Sequence, residues 1–371
     1  MTIRACVTAI VGFVVGFVQT AMAGAEFETQ NGDTVVYTFG SPVESGETAH
    51  DNIDNSGRFA FRSGTVNVKE GGIVRIAGYD DGTSKNREPR AYANWVGANG
   101  YSATLNICGG TFWVYTNGVD ASTYTGVGRL RIGVNNTAGG RTGVARLNLM
   151  SGVLRIDHVL MCGGSNYKDS SAKSTPAEMN MSGGTAIVNK FWLGASASGT
   201  YTTATFNLTG GEMQVDSFVF QPYHNQTFNW GAGTIIAGAE NVFSEQALQG
   251  GCTRTVSVTG NPAVFNTGNF AQTIPAGISS GTGTLKLTGG NTVTLSAAPS
   301  FGLWLDGTAL VVPADGLTIP VLTLSGGARL VFNADSLIAG QSVQVTAMGG
   351  ISLPDGGNAL DFVKPDRRKR R

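Results

Sequence analysis

Three side chains at one phase of a repeat are the best-placed candidates for chemistry in this chain. Asp157, Asn189 and Asp216 each lie nine residues after an asparagine that recurs in successive copies of the repeat. If the copies stack, their oxygens form a solvent-facing column that can share a Ca²⁺ ion or contact a sugar. Asp and Asn also cap turns and tolerate left-handed backbone. We expect this corner role and keep the column as the candidate ligand site.

Catalysis is a weaker prediction for the same residues. A glycosidase needs two carboxylates at a set separation, and stacking would place Asp157 and Asp216 about 10 Å apart. That separation is near the upper limit for an inverting pair, and Asn189 between them is a poor environment for raising a pKa. A non-catalytic protein without a cofactor is therefore expected, and a carbohydrate-binding or polysaccharide-degrading β-helix protein is the alternative.

Other motifs for metal or nucleophilic chemistry are weak. Asp80-Asp81-Gly82 lacks the alternating Asp/Asn ligands of a calcium-binding helix–loop–helix motif, so we predict no metal site. The histidines fall in no HExxH motif and next to no Gly-X-Ser-X-Gly motif; they are His50, His158 and His224. The cysteines beyond the N-terminal segment are odd in number and far apart, which favours small apolar fillers over disulfides; they are Cys108, Cys162 and Cys252.

The repeat that positions these residues alternates apolar and polar residues and then turns at a glycine. Each copy has a central residue flanked by apolar side chains; these are Ala60, Asn106, Asn148, Asn180, Asn207 and Asn229. Four residues later comes a glycine in every copy, namely Gly64, Gly110, Gly152, Gly184, Gly211 and Gly233. Period-two alternation is typical of a half-buried strand, and glycine at a fixed phase indicates a crowded corner.

A second and a third apolar segment follow each glycine. The residues six and eight positions after the central residue are predicted to face inward; they are Val66/Val68, Phe112/Val114, Leu154/Ile156, Ala186/Val188, Met213/Val215 and Ile235/Ala237. The third segment appears as Trp95-Val96-Gly97, Arg131-Ile132-Gly133 and Trp192-Leu193-Gly194. Three short strands per copy predict an all-β, right-handed parallel β-helix of about ten coils. The outward asparagines are predicted to hydrogen-bond along the stack.

The spacing of the central residues predicts loops that shrink along the stack. It falls from 46 residues between Ala60 and Asn106 to 22 between Asn207 and Asn229. The shortest spacing is about what three strands and three tight corners need, so the excess leaves the coil as loops. The longer loops include 79–94 and 116–128.

The chain divides into five predicted segments. Residues 1–23 resemble a signal peptide with cleavage near Ala23, which predicts a secreted or cell-surface protein. Residues 24–57 are an N-terminal cap, 58–245 a regular β-helix, and 246–363 an irregular continuation or cap, followed by a basic tail at 364–371. Without Arg4 and the tail, the body carries 18 basic and 24 acidic side chains, so no nucleic-acid binding is expected. No transmembrane helix is predicted in the mature chain.

One segment resembles a known repeat. Gly281-Thr-Gly-Thr-Leu-Lys-Leu-Thr-Gly-Gly-Asn291 is similar to the autotransporter-associated β-strand repeat of bacterial passenger proteins. The earlier copies are similar to the Gly-Gly-rich repeats of large exported β-helix proteins, over roughly residues 58–345. The resemblance implies an exported, adhesin-like scaffold whose partner is a polysaccharide or another cell surface.

Overall fold

The structure is a computed structural model that describes residues 26–28, 34–37, 48–50, 59–61, 64–77, 94–98, 100–116, 128–134, 142–163, 175–195, 202–313, 315–332 and 345–354. The predicted signal peptide, the basic tail and Asp80-Asp81-Gly82 lie outside these residues. Within them the protein is all-β, and its named strands all pair in parallel. No helix in the described ranges has the length and apolar character needed to cross a membrane.

Most strands stack in three columns, each strand pairing with the one a repeat later. The first column carries the repeated asparagines and is called the ladder column. It contains β1 (Glu26–Glu28), β5 (Gly64–Lys69), the first parts of β8 (Ala103–Tyr115), β10 (Ala145–Cys162), β11 (Ala177–Leu193) and β12 (Thr203–Phe220), then β13 (Asn225–Trp230) and β16 (Arg254–Val258). The third column contains β4 (Ala60–Phe61), β7 (Asn94–Ala98), β9 (Arg129–Val134), the last parts of β10 to β12, and β15 (Phe243–Glu245).

The second column is the longest. It contains β3 (Thr48–His50), β2 (Thr34–Tyr37), β6 (Ile73–Ala77), the later part of β8, the middle parts of β10 to β12, then β14 (Thr234–Ala237), β17 (Ala263–Asn266), β19 (Thr284–Thr288), β21 (Gly302–Asp306), β24 (Leu322–Ser325) and β27 (Ile351–Ser352). Two smaller parallel sheets join β18 (Gln272–Ile274), β20 (Thr292–Leu295), β22 (Ala309–Val312) and β25 (Arg329–Phe332), and β23 (Leu317–Ile319) with β26 (Val345–Ala347).

The columns enclose one continuous apolar core that runs from Phe59 to Leu330. All twelve positions predicted to face inward are buried. Aromatic rings pack through the middle of the core; the rings of Phe206 and Phe228, on successive repeats, stack at 5.2 Å with 5° between their planes. Because each strand pair buries side chains only against its neighbours, the core depends on stacking of the repeats.

The asparagines of the ladder column form a continuous chain of hydrogen bonds, as predicted. Each Nδ2 donates to the Oδ1 of the asparagine one repeat earlier, at 2.7–2.9 Å, through Asn229, Asn207, Asn180, Asn148, Asn106 and Asn67. The strands hold these residues directly opposite one another. The next repeat places Ser257 opposite Asn229, and the asparagine run ends there.

The first member of this run differs from the prediction. Asn67 lies opposite Asn106, whereas Ala60 lies in the third column opposite Trp95. Val66-Asn67-Val68 carries the same alternation as Phe59-Ala60-Phe61, and only the pairing distinguishes the two. Val66 and Val68 therefore face inward from the ladder column, not from the second. The first spacing is 39 residues and the second 42, so the predicted shrinkage begins only after Asn148.

Four of the predicted corner glycines, Gly110, Gly152, Gly184 and Gly211, lie in a single file, whereas Gly64 lies in the ladder column opposite Ala103. A Cβ atom built at Gly184 would lie 2.7 Å from the carbonyl oxygen of Gly152, and one at Gly211 would lie 2.6 Å from that of Gly184. A Cβ at Gly152 would overlap the carbonyl oxygen of Gly110. Side chains are therefore excluded by the backbone of the preceding repeat.

After β16 the parallel stacking continues with an altered phase. Leu285-Lys286-Leu287 repeats the ladder-column motif, yet it lies opposite Ala263-Val264-Phe265 in the second column. The pairing then passes through β21 and β24. Arg329, which interrupts the predicted inward pattern, is exposed, and its neighbour Leu330 is buried.

The ladder yields a first prediction. Replacing Asn180 with alanine removes two hydrogen bonds, one to Asn148 and one from Asn207. We expect the free energy of unfolding to fall by about 1–3 kcal/mol, since each of the two bonds contributes about 0.5–1.5 kcal/mol net. Asn229→Ala removes one such bond and should cost about half as much. Urea unfolding measures both, and equal losses in the two variants would contradict an additive ladder.

Candidate functional site

Asp157, the first member of the predicted ligand column, is held by its own repeat and the one before. Its Oδ1 accepts hydrogen bonds from Arg155 Nε at 2.8 Å and from Trp113 Nε1 at 3.2 Å. The parallel register shifts here, because Asp157 and His158 together oppose the single residue Asn189. This bulge turns the side chain of Asp157 toward Trp113.

Asn189 and Asp216 do meet across successive repeats. Asn189 Nδ2 donates to Asp216 Oδ2 at 2.8 Å. The other carboxylate oxygen of Asp216 lies over Gly238, where a Cβ would collide with it. Glycine at position 238 therefore makes room for the carboxylate.

The predicted column is consequently two separate pairs. Asp157 bonds toward Trp113, and Asp216 bonds toward Asn189, whose amide presents a donor to it. A count of nine residues from Ala60 would add Lys69 to this column, but Lys69 lies in the ladder column opposite Cys108 and Gly109. Within the described ranges no three His, Cys, Asp or Glu side chains are grouped to hold a metal.

A cationic and aromatic surface next to Asp157 was missed by the sequence analysis. The guanidinium carbon of Arg155 lies 4.6 Å from the ring centroid of Trp113, and that of Arg75 lies 5.6 Å from it. Arg75 also lies 5.3 Å from the ring of Tyr115. Arg75, Trp113 and Arg155 occupy one outward position of the second column. The signal was available, because Trp113 and Arg155 each lie seven residues after a ladder asparagine.

A second cluster, on the third column, was also missed. Arg129 and Arg131 extend from the same face of β9, since Leu130 and Ile132 between and after them are buried in the core. Burial lowers the pKa of Arg129 to about 10, and burial together with the charge of Arg129 lowers the pKa of Arg131 to about 10. Arg129 Nε lies 3.5 Å from His158 Nδ1.

His224 is the most deeply buried histidine among the described residues, with 1% of its surface exposed. Burial lowers its pKa to about 4, and a contact with the backbone of Gly163 partly opposes the shift. Its Nδ1 accepts a hydrogen bond from the backbone nitrogen of Thr202 at 3.2 Å. The residue has a φ of 75°, in the left-handed region. His224 is therefore a structural residue of the corner between β12 and β13.

The cysteines are separate in the structure. Cys108, Cys162 and Cys252 are all free thiols. Burial raises the pKa of the Cys162 thiol to about 12, against the opposing effect of its hydrogen bond to the Thr205 backbone. A thiol of such high pKa is a poor nucleophile.

Comparison with known proteins leaves the fold and these contacts as the basis for function. No protein-family model, no curated protein and no solved structure matches the chain.

Proposed function

We propose that this chain is an exported, right-handed parallel β-helix of about ten coils that serves as a non-catalytic scaffold, secreted or displayed at a cell surface. The resemblance of residues 58–345 to the repeats of autotransporter passenger proteins supports this proposal, as does the signal-like segment 1–23. The scaffold would present its loops to a polysaccharide or to another cell surface.

The observation that carries the proposal is the run of five consecutive Asn–Asn hydrogen bonds along the outside of the ladder column. A binding groove leaves polar groups available to a ligand. Here each internal asparagine of the run donates its amide to one neighbour and accepts from another. The polar surface of this column is therefore used to hold the repeats together, which suits a spacer.

The alternative function, that of a polysaccharide-degrading enzyme, has less support. Asp157 is engaged by Arg155 and Trp113, and Asp216 by Asn189. Paired carboxylates of a glycosidase would instead converge on one substrate bond. We expect wild type to show no polysaccharide-degrading activity above background, and Asp157→Ala and Asp216→Ala to show the same background level.

Export is tested on cells that produce the full chain, and shape is tested on the purified protein. We expect the intact mass to show loss of residues 1–23, and external protease to cleave the chain on intact cells or in the medium. Small-angle scattering should give a rod-like β-helical body about 50 Å long, since ten coils rise about 4.8 Å each. A chain that retains residues 1–23 inside the cell would contradict export, and a spherical envelope would contradict the coil count.

Carbohydrate binding is the second candidate, and the Arg75–Trp113–Arg155 stack favours it. Aromatic rings next to charged hydrogen-bonding groups are a common way to hold sugars, and Asp157 lies within reach of the ring nitrogen. A glycan array with wild type, Trp113→Ala and Asp157→Ala separates the two functions, with Asp216→Ala as the control away from the stack. If the protein is only a scaffold, replacing Trp113 should not change how much protein the glycan array retains. Retention by wild type and Asp216→Ala that is lost in the other two variants would favour the binding function.

A further inference from the structure

Arg131 is a buried cation whose principal donors have no partner. It lies on the outer side of the third column, yet only 4% of its surface is exposed. Among the described residues neither Nε nor Nη2 finds a hydrogen-bond acceptor. Leaving a guanidinium buried without an acceptor is costly, so such groups are normally paired.

Two more exposed arginines of the described chain are paired with carboxylates. Arg146 lies 2.8 Å from a carboxylate oxygen of Glu178, and Arg155 lies 2.8 Å from one of Asp157. By contrast, the charged group that acts on Arg131 is Arg129, two residues earlier on the same strand face. Two like charges therefore lie side by side.

The two unpartnered atoms define the shape of the missing acceptor. Nε–H and one N–H of Nη2 point in parallel along one edge of the guanidinium plane, the arrangement that binds two oxygens of one group at once. The geometry points to an oxyanion-binding site formed by Arg131 and Arg129, which accepts a carboxylate, sulfate or phosphate group in bidentate contact with Arg131. Arg129, next to His158, supplies the second positive charge.

The surroundings suit an anion held away from water. Trp95 and Met161 lie directly before and after Arg131 in the column, and Val159 lies opposite Arg129. Met161 and Val159 face outward with Arg131, but both are fully buried. In such a low-dielectric environment a charge-assisted pair is stronger than it is at an exposed surface. This site is independent of the proposed scaffold function and of the Trp113 surface.

The test is calorimetric titration of the purified full chain with sulfate, phosphate and glucuronate at constant ionic strength in chloride. We expect saturable binding of at least one oxyanion to wild type, and at least tenfold weaker binding to Arg131→Met. Methionine suits this position because Met161 occupies it one repeat later. Arg146→Met, which removes an arginine paired with Glu178, is the matched control and should bind as wild type does.

Two further measurements keep the proposal open to refutation. Arg131→Lys retains the positive charge but lacks the two parallel N–H donors of the guanidinium. It should fold and still bind the anion at least tenfold more weakly than wild type does. General stabilisation by sulfate acts on all variants alike, so an equal rise in melting temperature in wild type and Arg131→Met would overturn the site. An absence of saturable binding of all three anions to wild type would overturn it as well. Preference among the three anions identifies the source of the oxyanion.

Discussion

Replacing Gly211 with alanine is expected to lower the free energy of unfolding by about 2–5 kcal/mol. Two effects add at this position. Gly211 has a φ of 76°, where a side chain costs about 1–2 kcal/mol. A Cβ there would also lie 2.6 Å from the carbonyl oxygen of Gly184, and forcing a methyl group into such a site costs about 1–3 kcal/mol. Urea unfolding followed by circular dichroism measures the loss.

Gly251→Ala separates the two effects. Gly251 has nearly the same φ, 72°, and a Cβ there would meet nothing within 4 Å. Its substitution should therefore cost only the conformational part, about 1–2 kcal/mol. The difference between the two variants measures the close approach of successive repeats. Equal losses would mean that the corner glycines are needed only for their backbone conformation.

The ladder and the glycine file were predictable because stacking imposes them at one phase of every repeat. Asn148, Asn180 and Asn207 each need an identical partner one repeat away, so the same residue recurs in the sequence. Glycine recurs for a similar reason, since the backbone of the preceding repeat occupies the space of a Cβ. A constraint that acts on every repeat leaves a periodic record, and Ala60 was misplaced because alternation alone does not identify the column.

The candidate sites were less predictable because they depend on local departures from the repeat. The bulge at Asp157 and His158 adds one residue and turns Asp157 away from Asn189. The predicted column was placed by counting nine residues from each ladder asparagine, and such a count cannot include an added residue. Arg131 stands in a column with Trp95 and Met161, so nothing in that position recurs. Its importance arises from burial and missing acceptors, which are properties of the three-dimensional structure.

Acid is expected to destabilise the protein through His224. Its folded-state pKa of about 4 lies below the ordinary value of 6.5, so between these values the unfolded chain binds a proton that the folded chain excludes. The contribution of neutral His224 is complete above pH 6.5 and is lost as the pH falls toward 4. The difference between a pKa of about 4 in the folded chain and 6.5 in the unfolded chain corresponds to about 3 kcal/mol of stability. Protonation of Nδ1 would also remove the acceptor that the Thr202 nitrogen uses.

His224→Asn is the variant that tests this cause, because asparagine tolerates the left-handed φ of 75° and does not titrate. We expect the variant to be less stable than wild type at pH 7.5, since it loses buried ring contacts. Its free energy of unfolding should nevertheless change by about 3 kcal/mol less than that of wild type between pH 6.5 and 4. Urea unfolding across this range gives both curves, and carboxylates elsewhere contribute equally to the two proteins. Parallel curves would show that the acid sensitivity arises from another group and that His224 is free to take up a proton in the folded state.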